Sequence, residues 1–234
     1  MKYREKSTSY EFSIKIIYQQ TDLLISYNSE FKDSEKIKSD IGKSLFGIYD
    51  KLNQFIKDFP DFRYSLVPID FLTDDTHLEY LKRMSYSANV GPLAGIAGYF
   101  DEKISYIMEK YSDDYFIENG GDIKLKNTVQ KKVRLHSSYE SFEGNFNIIL
   151  PPGEYGIASS SGKLGHSLSK GISDLVTVIC PDPIKADCFA TAIGNEINHD
   201  KKIEDILEKY EFLDVVSIIF NGKFFYKGKY KLSL

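Results

Sequence analysis

The chain has 234 residues, with 34 acidic against 30 basic side chains and a formal charge of −4. At this length one domain is favoured, and a chain this size buries enough surface for a real core. The slight acidic excess argues against a general nucleic-acid-binding face, which needs a basic surplus. Arg is scarce (Arg4, Arg63, Arg83 and Arg134). Any phosphate would therefore fall to Lys or to backbone N–H groups rather than to bidentate Arg clamps. Cys180 and Cys188 are too few for a disulfide scaffold or a Cys-rich zinc site, and both read as reduced apolar fillers. No stretch reaches the ~20 apolar residues of a membrane span. The charged N-terminus lacks the apolar core of a signal peptide, so the expected location is cytoplasmic.

In chain order, Tyr10 to Tyr18 and Asp22 to Tyr27 alternate as a strand and its hairpin partner. Ile37, Ile41, Leu45, Ile48, Leu52 and Phe55 recur at three- and four-residue gaps, which predicts a helix over Ser34 to Phe59, stopped by Pro60. A second helix is expected over Thr73 to Ser87, and a third over Ala94 to Glu109 after the Gly91-Pro92 break. The period then changes to two. Strands are expected over Tyr115–Glu118, Asp122–Lys126, Lys132–Ser137 and Asn145–Leu150, and a mostly apolar one over Asp174–Cys180. Asp182-Pro183 supplies a cap and a first-turn proline for a helix to about Asn195. A further helix over Lys201–Tyr210 and a closing strand–turn–strand unit (Val215–Phe220, Phe224–Leu232) complete the pattern. The order predicts an α+β (mixed α/β) fold, one layered domain over 1–234, with the C-terminal aromatics packed inward.

Eleven of the 16 glycines lie between Gly91 and Gly171, and this third of the chain also carries most of the candidate chemistry. Val90 to Gly98 is a Gly-rich turn opening a helix of small residues, which suits either phosphate binding by free N–H groups or tight helix packing. Ile117 to Asp122 sets a Gly pair between polar neighbours, a hairpin turn that gathers Glu118, Asn119 and Asp122 at one sheet end. Ala158 to Ser167 reads as a flexible donor-rich loop. It contains Ser160, Ser161, Gly162 and His166, and His166 is the best general-base candidate. No G-x-S-x-G elbow accompanies the serines. Asp187 and Thr191 are four apart and share one helix face, where their hard oxygens suit Mg²⁺. Ala186, Ala190 and Gly194 fall together on a packed face of that helix.

Together, VGPLAGIAGYF (90–100), IENGGDI (117–123), ASSSGKLGHSLSKGISD (158–174) and ADCFATAIGN (186–195) carry a resemblance. In order and spacing the chain resembles the conserved, uncharacterised ApbE-like proteins of bacteria and archaea, distantly related to the ApbE-type FAD:protein FMN transferases. The resemblance implies a single layered ApbE-like domain. It implies Mg²⁺ held by Asp187, Thr191 and a backbone carbonyl within Pro92–Gly95. It further implies a flavin nucleotide such as FAD against Gly91, Ala94, Gly95, Asn119, Gly120, Gly121, Ser160, Ser161 and Gly162, with His166 and Asp122 as acid–base candidates. Two differences from the transferases are visible. Gly95 to Tyr99 lacks their usual Lys, and only Lys163, Leu164 and Gly165 separate the Ser-Gly segment from His166.

Two functional classes follow. One is an enzyme of Mg²⁺-assisted cleavage or transfer at a nucleotide pyrophosphate. The other is a non-catalytic small-molecule binder or assembly protein, with a link to sulfur or thiamine metabolism as one version. The expected partner is a nucleotide-like small molecule, not nucleic acid or membrane, and a homodimer is left open.

Overall fold

The computed structural model describes residues 10–134, 146–162 and 172–233. Strands β1 (Phe12–Tyr18) and β2 (Thr21–Asn28) form the opening hairpin, and α1 (Ser34–Asp58) follows. The Asp33 side chain caps α1 by accepting from the Lys36 N–H at 2.9 Å. A short helix α2 (Asp61–Tyr64) and an irregular segment lead to α3 (Thr76–Ala88), which Asp75 caps through the N–H groups of His77 and Leu78. Asn89 ends α3 in the left-handed conformation, at φ 54°.

The third expected helix is divided. Pro92–Gly95 is a 3₁₀ turn, and α4 begins at Ile96 and runs to Met108. Strands β3 (Asp114–Asn119) and β4 (Asp122–Asn127) are joined by Gly120 and Gly121, both at positive φ, as a two-residue hairpin turn requires. Strands β5 (Lys131–Arg134) and β6 (Asn147–Leu150) come next; the expected extension of β5 to Ser137 lies outside the described residues. Then β7 (Gly153–Ser160), β8 (Leu175–Cys180), α5 (Pro183–Glu196), α6 (Ile203–Lys209), β9 (Val215–Phe220), β10 (Lys223–Gly228) and β11 (Lys231–Ser233) complete the chain.

Two further expectations about strands are corrected. Ala158–Ser160, expected to begin a flexible loop, instead ends strand β7. The segment expected as one strand from Phe224 to Leu232 is two, placed in different sheets.

The described strands form an eight-stranded sheet in the order β1-β2-β3-β4-β7-β8-β9-β10, antiparallel throughout, and a three-stranded sheet β11-β6-β5. Register decides which side chains share a face. Ile25, Ile117, Lys124, Gly156, Cys180 and their alternate neighbours point to the helices. That face and the helices enclose the larger core, including Ile41, Leu81, Ile104, Phe189 and Ile193. The opposite face, with Leu125, Tyr155, Ile157 and Ile179, packs on Ile148 and Leu150 of the small sheet. The layers are therefore helices, large sheet, small sheet, which is the layered α+β domain expected.

Helix α5 lies over β7 and β8 and against α4. Ala186, Ala190 and Gly194 are buried along it, as expected of its packed face. Cys180 and Cys188 are buried and free. Burial pushes the Cys180 thiol up to about 12, and burial with the Asp187 carboxylate raises Cys188 as well; the Cys180 thiol donates to the Asp182 carbonyl oxygen at 3.1 Å. The C-terminal aromatics are half-buried, except Phe212, which is 56% exposed at the edge of α6.

Candidate functional site

The contact between α4 and α5 depends on missing side chains. A Cβ on Gly98 would stand 2.3 Å from the Pro183 carbonyl oxygen, and one on Gly95 would stand 2.5 Å from the Cys188 sulfur. On the sheet side, a Cβ on Gly156 would meet Pro183 Cα at 2.3 Å. The first turn of α5 is thus wedged between α4 and β7, at a separation only glycine permits. The Gly/Ala-rich segment therefore packs tightly, and that packing points its free amides at α5.

The Gly98 N–H donates to Asp187 Oδ2 at 3.2 Å. A carboxylate from one helix thereby answers the unsatisfied first-turn amides of another, where the dipole favours negative charge. Thr191, one turn further along α5 on the same face, is half-buried. Across the sheet, Asp122 Oδ1 accepts the Ser159 N–H at 3.0 Å, tying the β3–β4 turn to the end of β7. Asn119 pairs with Asp122 across that turn and is buried.

Between these lies a residue that sequence reasoning passed over. Asp101, on the inner face of α4, is fully buried, and neither carboxylate oxygen has a hydrogen-bond partner. Burial first, then the Asp122 carboxylate, raise it well above the usual carboxylate range; Asp187 and Glu118 add to this, and Asn119 opposes it. Asp122 is raised to about 7 by burial and by Glu118, against the Ser159 N–H. Asp187 is raised by burial and by Asp122, against the N–H groups of Gly98 and Ala97. In the sequence Asp101 gives one weak signal: it stands three after Gly98, on the helix face that carries Ile104 and Met108 inward.

The geometry joins α4, the β3–β4 turn, the end of β7 and α5. Gly95, Asn119, Gly120, Gly121, Asp122, Ser160, Asp187 and Thr191 all belong to these parts. Ser161 and Gly162 continue directly from β7, where the Gly162 N–H donates to the Ser173 carbonyl at 3.0 Å. Ala94 is half-buried in the 3₁₀ turn. Gly91 sits apart in character: a Cβ there would lie 1.9 Å from the Ser65 carbonyl oxygen, so it seats the turn on the segment after α2. His166 lies outside the described residues.

Among the described residues, no three His, Cys, Asp or Glu side chains stand close enough to hold an ion by themselves. Mg²⁺ does not ask for that; it commonly takes one or two carboxylates and completes its shell with water and substrate phosphates. Asp187 and Thr191 supply hard oxygens. The fully buried Asp101 and the half-buried Asp122 add carboxyl groups that both hold their protons more readily than a free acid. The residues fit a small divalent cation.

Residues 4–207 match the model of the family described as AbpE bacteria. The chain belongs to that family. Among relatives of the AbpE family chain, the UPF0280 protein of Methanothermobacter thermautotrophicus is 35% identical over 174 residues, covering 74% of this chain and 68% of that one. The UPF0280 protein of Methanococcus vannielii is 31% identical over 226 residues, covering 93% and 90%. The fold is that of solved flavin transferases. Flavin Transferase ApbE from Vibrio cholerae superposes with a TM-score of 0.58 at 14% identity, over 92% of this chain and 96% of that one. Pseudomonas stutzeri flavinyl transferase ApbE, in its apo form, gives 0.60 at 11% identity, over 92% and 93%. At such identities the likeness carries the fold of this AbpE family member and nothing finer. No helix among its described residues is long and apolar enough to cross a membrane.

Proposed function

We propose that the protein binds a flavin nucleotide or related pyrophosphate through a divalent cation, and transfers or cleaves at that pyrophosphate. The observation that carries this reading is the Asp187 carboxylate set against the first-turn amides of α4, with Thr191 beside it. A carboxylate facing phosphates without a cation would repel them. Asp187 and Thr191 would hold Mg²⁺, which when bound neutralises charge on the bridging oxygens. The fold shared with flavin transferases supports a flavin as the nucleotide, with FAD as the first candidate.

In the transfer form, the bond between the two phosphates of FAD breaks, the FMN phosphoryl passes to an acceptor hydroxyl, and AMP leaves. The hydroxyl proton needs a base. Asp122 is raised to about 7, in the range where a carboxylate exchanges protons at neutral pH, and it is held in place by the Ser159 N–H. His166 is the other candidate from the sequence. Because Asp187 takes up the Gly98 and Ala97 amides, orientation of phosphate oxygens would fall to the backbone N–H groups of the Gly120–Gly121 turn.

The competing reading is a binder without turnover. It is favoured by the run from Gly95 to Tyr99, which lacks a Lys to meet the phosphates. Incubating the protein with FAD and Mg²⁺ and measuring AMP by chromatography separates the two. AMP formed in proportion to protein and abolished by a chelator supports transfer or cleavage. FAD bound but recovered intact supports the binder.

A further inference from the structure

We propose that Asp101 belongs to the divalent-cation centre, as a carboxylate additional to Asp187 and Thr191. This rests on the cation reading of the same site and deepens it. Asp101 is 0% exposed, and neither oxygen has a partner at hydrogen-bond distance, the Asn119 side chain standing close enough only to favour its charge. Buried polar groups are almost always satisfied, and an orphaned carboxyl group calls for an ion or a functional role. Its surroundings make the case stronger. The neighbours that act on it most strongly include three further acids (Asp122, Asp187 and Glu118), with the Asn119 side chain favouring its charge. The buried Lys124 of β4 pairs with Glu102, the neighbour of Asp101 on α4, at 3.0 Å.

A residue retained for folding would have a partner, because an unpaired buried acid costs stability and a hydrophobic residue of similar size would remove that cost. Placing strain of this kind at a site is the usual trade of stability for function. Asp101 sits on α4 one turn beyond Gly98, whose amide holds Asp187, so both carboxyl groups are positioned by the same helix. Glycine contacts fix that helix closely against α5. A cation reached by Asp187 from one side and by Asp101 or Asp122 from the other, directly or through one water, would neutralise the whole group.

The test is Mn²⁺ binding by isothermal titration to the full chain, with thermal melting of the metal-free protein alongside. Asp101→Asn is expected to weaken Mn²⁺ binding at least tenfold while melting within a few degrees of the wild type. Unchanged Mn²⁺ affinity overturns the proposal. So does a sharply lowered melting temperature with Mn²⁺ affinity retained, since that is the mark of a structural residue. Anomalous scattering from Mn²⁺-soaked wild-type crystals does not depend on the variant folding. A peak within direct or one-water reach of the Asp101 carboxylate supports the assignment. A peak at Asp187 and Thr191 with Asp101 remote overturns it and leaves the cation reading standing. A wild-type chain that binds no Mn²⁺ removes both.

Discussion

The Gly98 amide and the Asp187 carboxylate, 89 positions apart in sequence, meet at 3.2 Å. That hydrogen bond exists because Gly98 lets α4 approach the Pro183 carbonyl more closely than any side chain would allow. A Cβ at position 98 would be 2.3 Å from a backbone oxygen that has no rotamer to escape into. Gly98→Ala should therefore push α4 from α5, cost about 1–3 kcal/mol, and weaken cation binding at the same time. The check is chemical denaturation together with Mn²⁺ titration. A stable variant with unaltered Mn²⁺ binding would refute the wedge.

Asp75 holds the start of α3 in two ways. Oδ1 accepts from the His77 and Leu78 amides at 2.9 and 3.1 Å, and Oδ2 accepts from the Lys103 ammonium at 2.7 Å. Burial would raise this carboxyl group, but Lys103 and the two amides outweigh it and bring it below the ordinary value. A lowered acid contributes stability that is complete above its unfolded value and is lost as pH falls through the folded one. Asp75→Ala should cost about 1–3 kcal/mol at neutral pH, the loss of a cap and of a charge partner. The deficit should shrink below about pH 4, where the wild type loses the same interactions. A deficit that does not depend on pH would show that the charge at Asp75 is not what matters.

Asp122 has the opposite sign. Its folded value lies near 7, well above that of an unfolded Asp. The folded state then holds a proton that the unfolded state has released, so its contribution to stability falls as pH rises from about 4 to 7, by up to about 1.4 kcal/mol per pH unit. Asp122→Asn carries no titrating group. Measured without metal, it should gain on the wild type between pH 5 and 7, and saturating Mn²⁺ should narrow the gap by restoring the wild type. A parallel pH dependence of the two proteins would contradict this.

Much of the fold is legible in the sequence where a local rule applies. The apolar period from Ile37 to Leu52 marks α1, and Asp182 caps α5 by accepting from the Lys185 amide, one residue before Pro183 opens the helix. The hairpin at Asn221-Gly222, both at positive φ, follows its turn chemistry. Strand β7 is less legible because Gly153 to Ser160 is rich in small residues. Its strand character comes from neighbours on both sides, and Gly156 serves the approach of Pro183 rather than a turn. Phe212 also departs from the inward expectation. It stacks edge-on against Phe189 at 5.3 Å yet remains exposed, which period-two reasoning cannot see because the residue lies outside any strand. At the site, Asp187 and Thr191 stand out through their helical spacing and their resemblance to the ApbE-type pattern. Asp101 does not, since an acid within Tyr99–Lys103 reads as an ordinary polar position until burial is known.

The central claim is that a cation at Asp187 and Thr191 mediates nucleotide binding. Isothermal titration of FAD, and of ADP in parallel, with Mg²⁺ and then with a chelator, tests it most directly. Asp187→Asn and Thr191→Val are nearly isosteric changes that keep the helix. The account predicts binding in Mg²⁺ that drops at least tenfold with the chelator, and a comparable drop in Mg²⁺ for each variant, with unchanged far-ultraviolet circular dichroism. Equal affinity with and without the metal, or variants that bind as the wild type does, would contradict it.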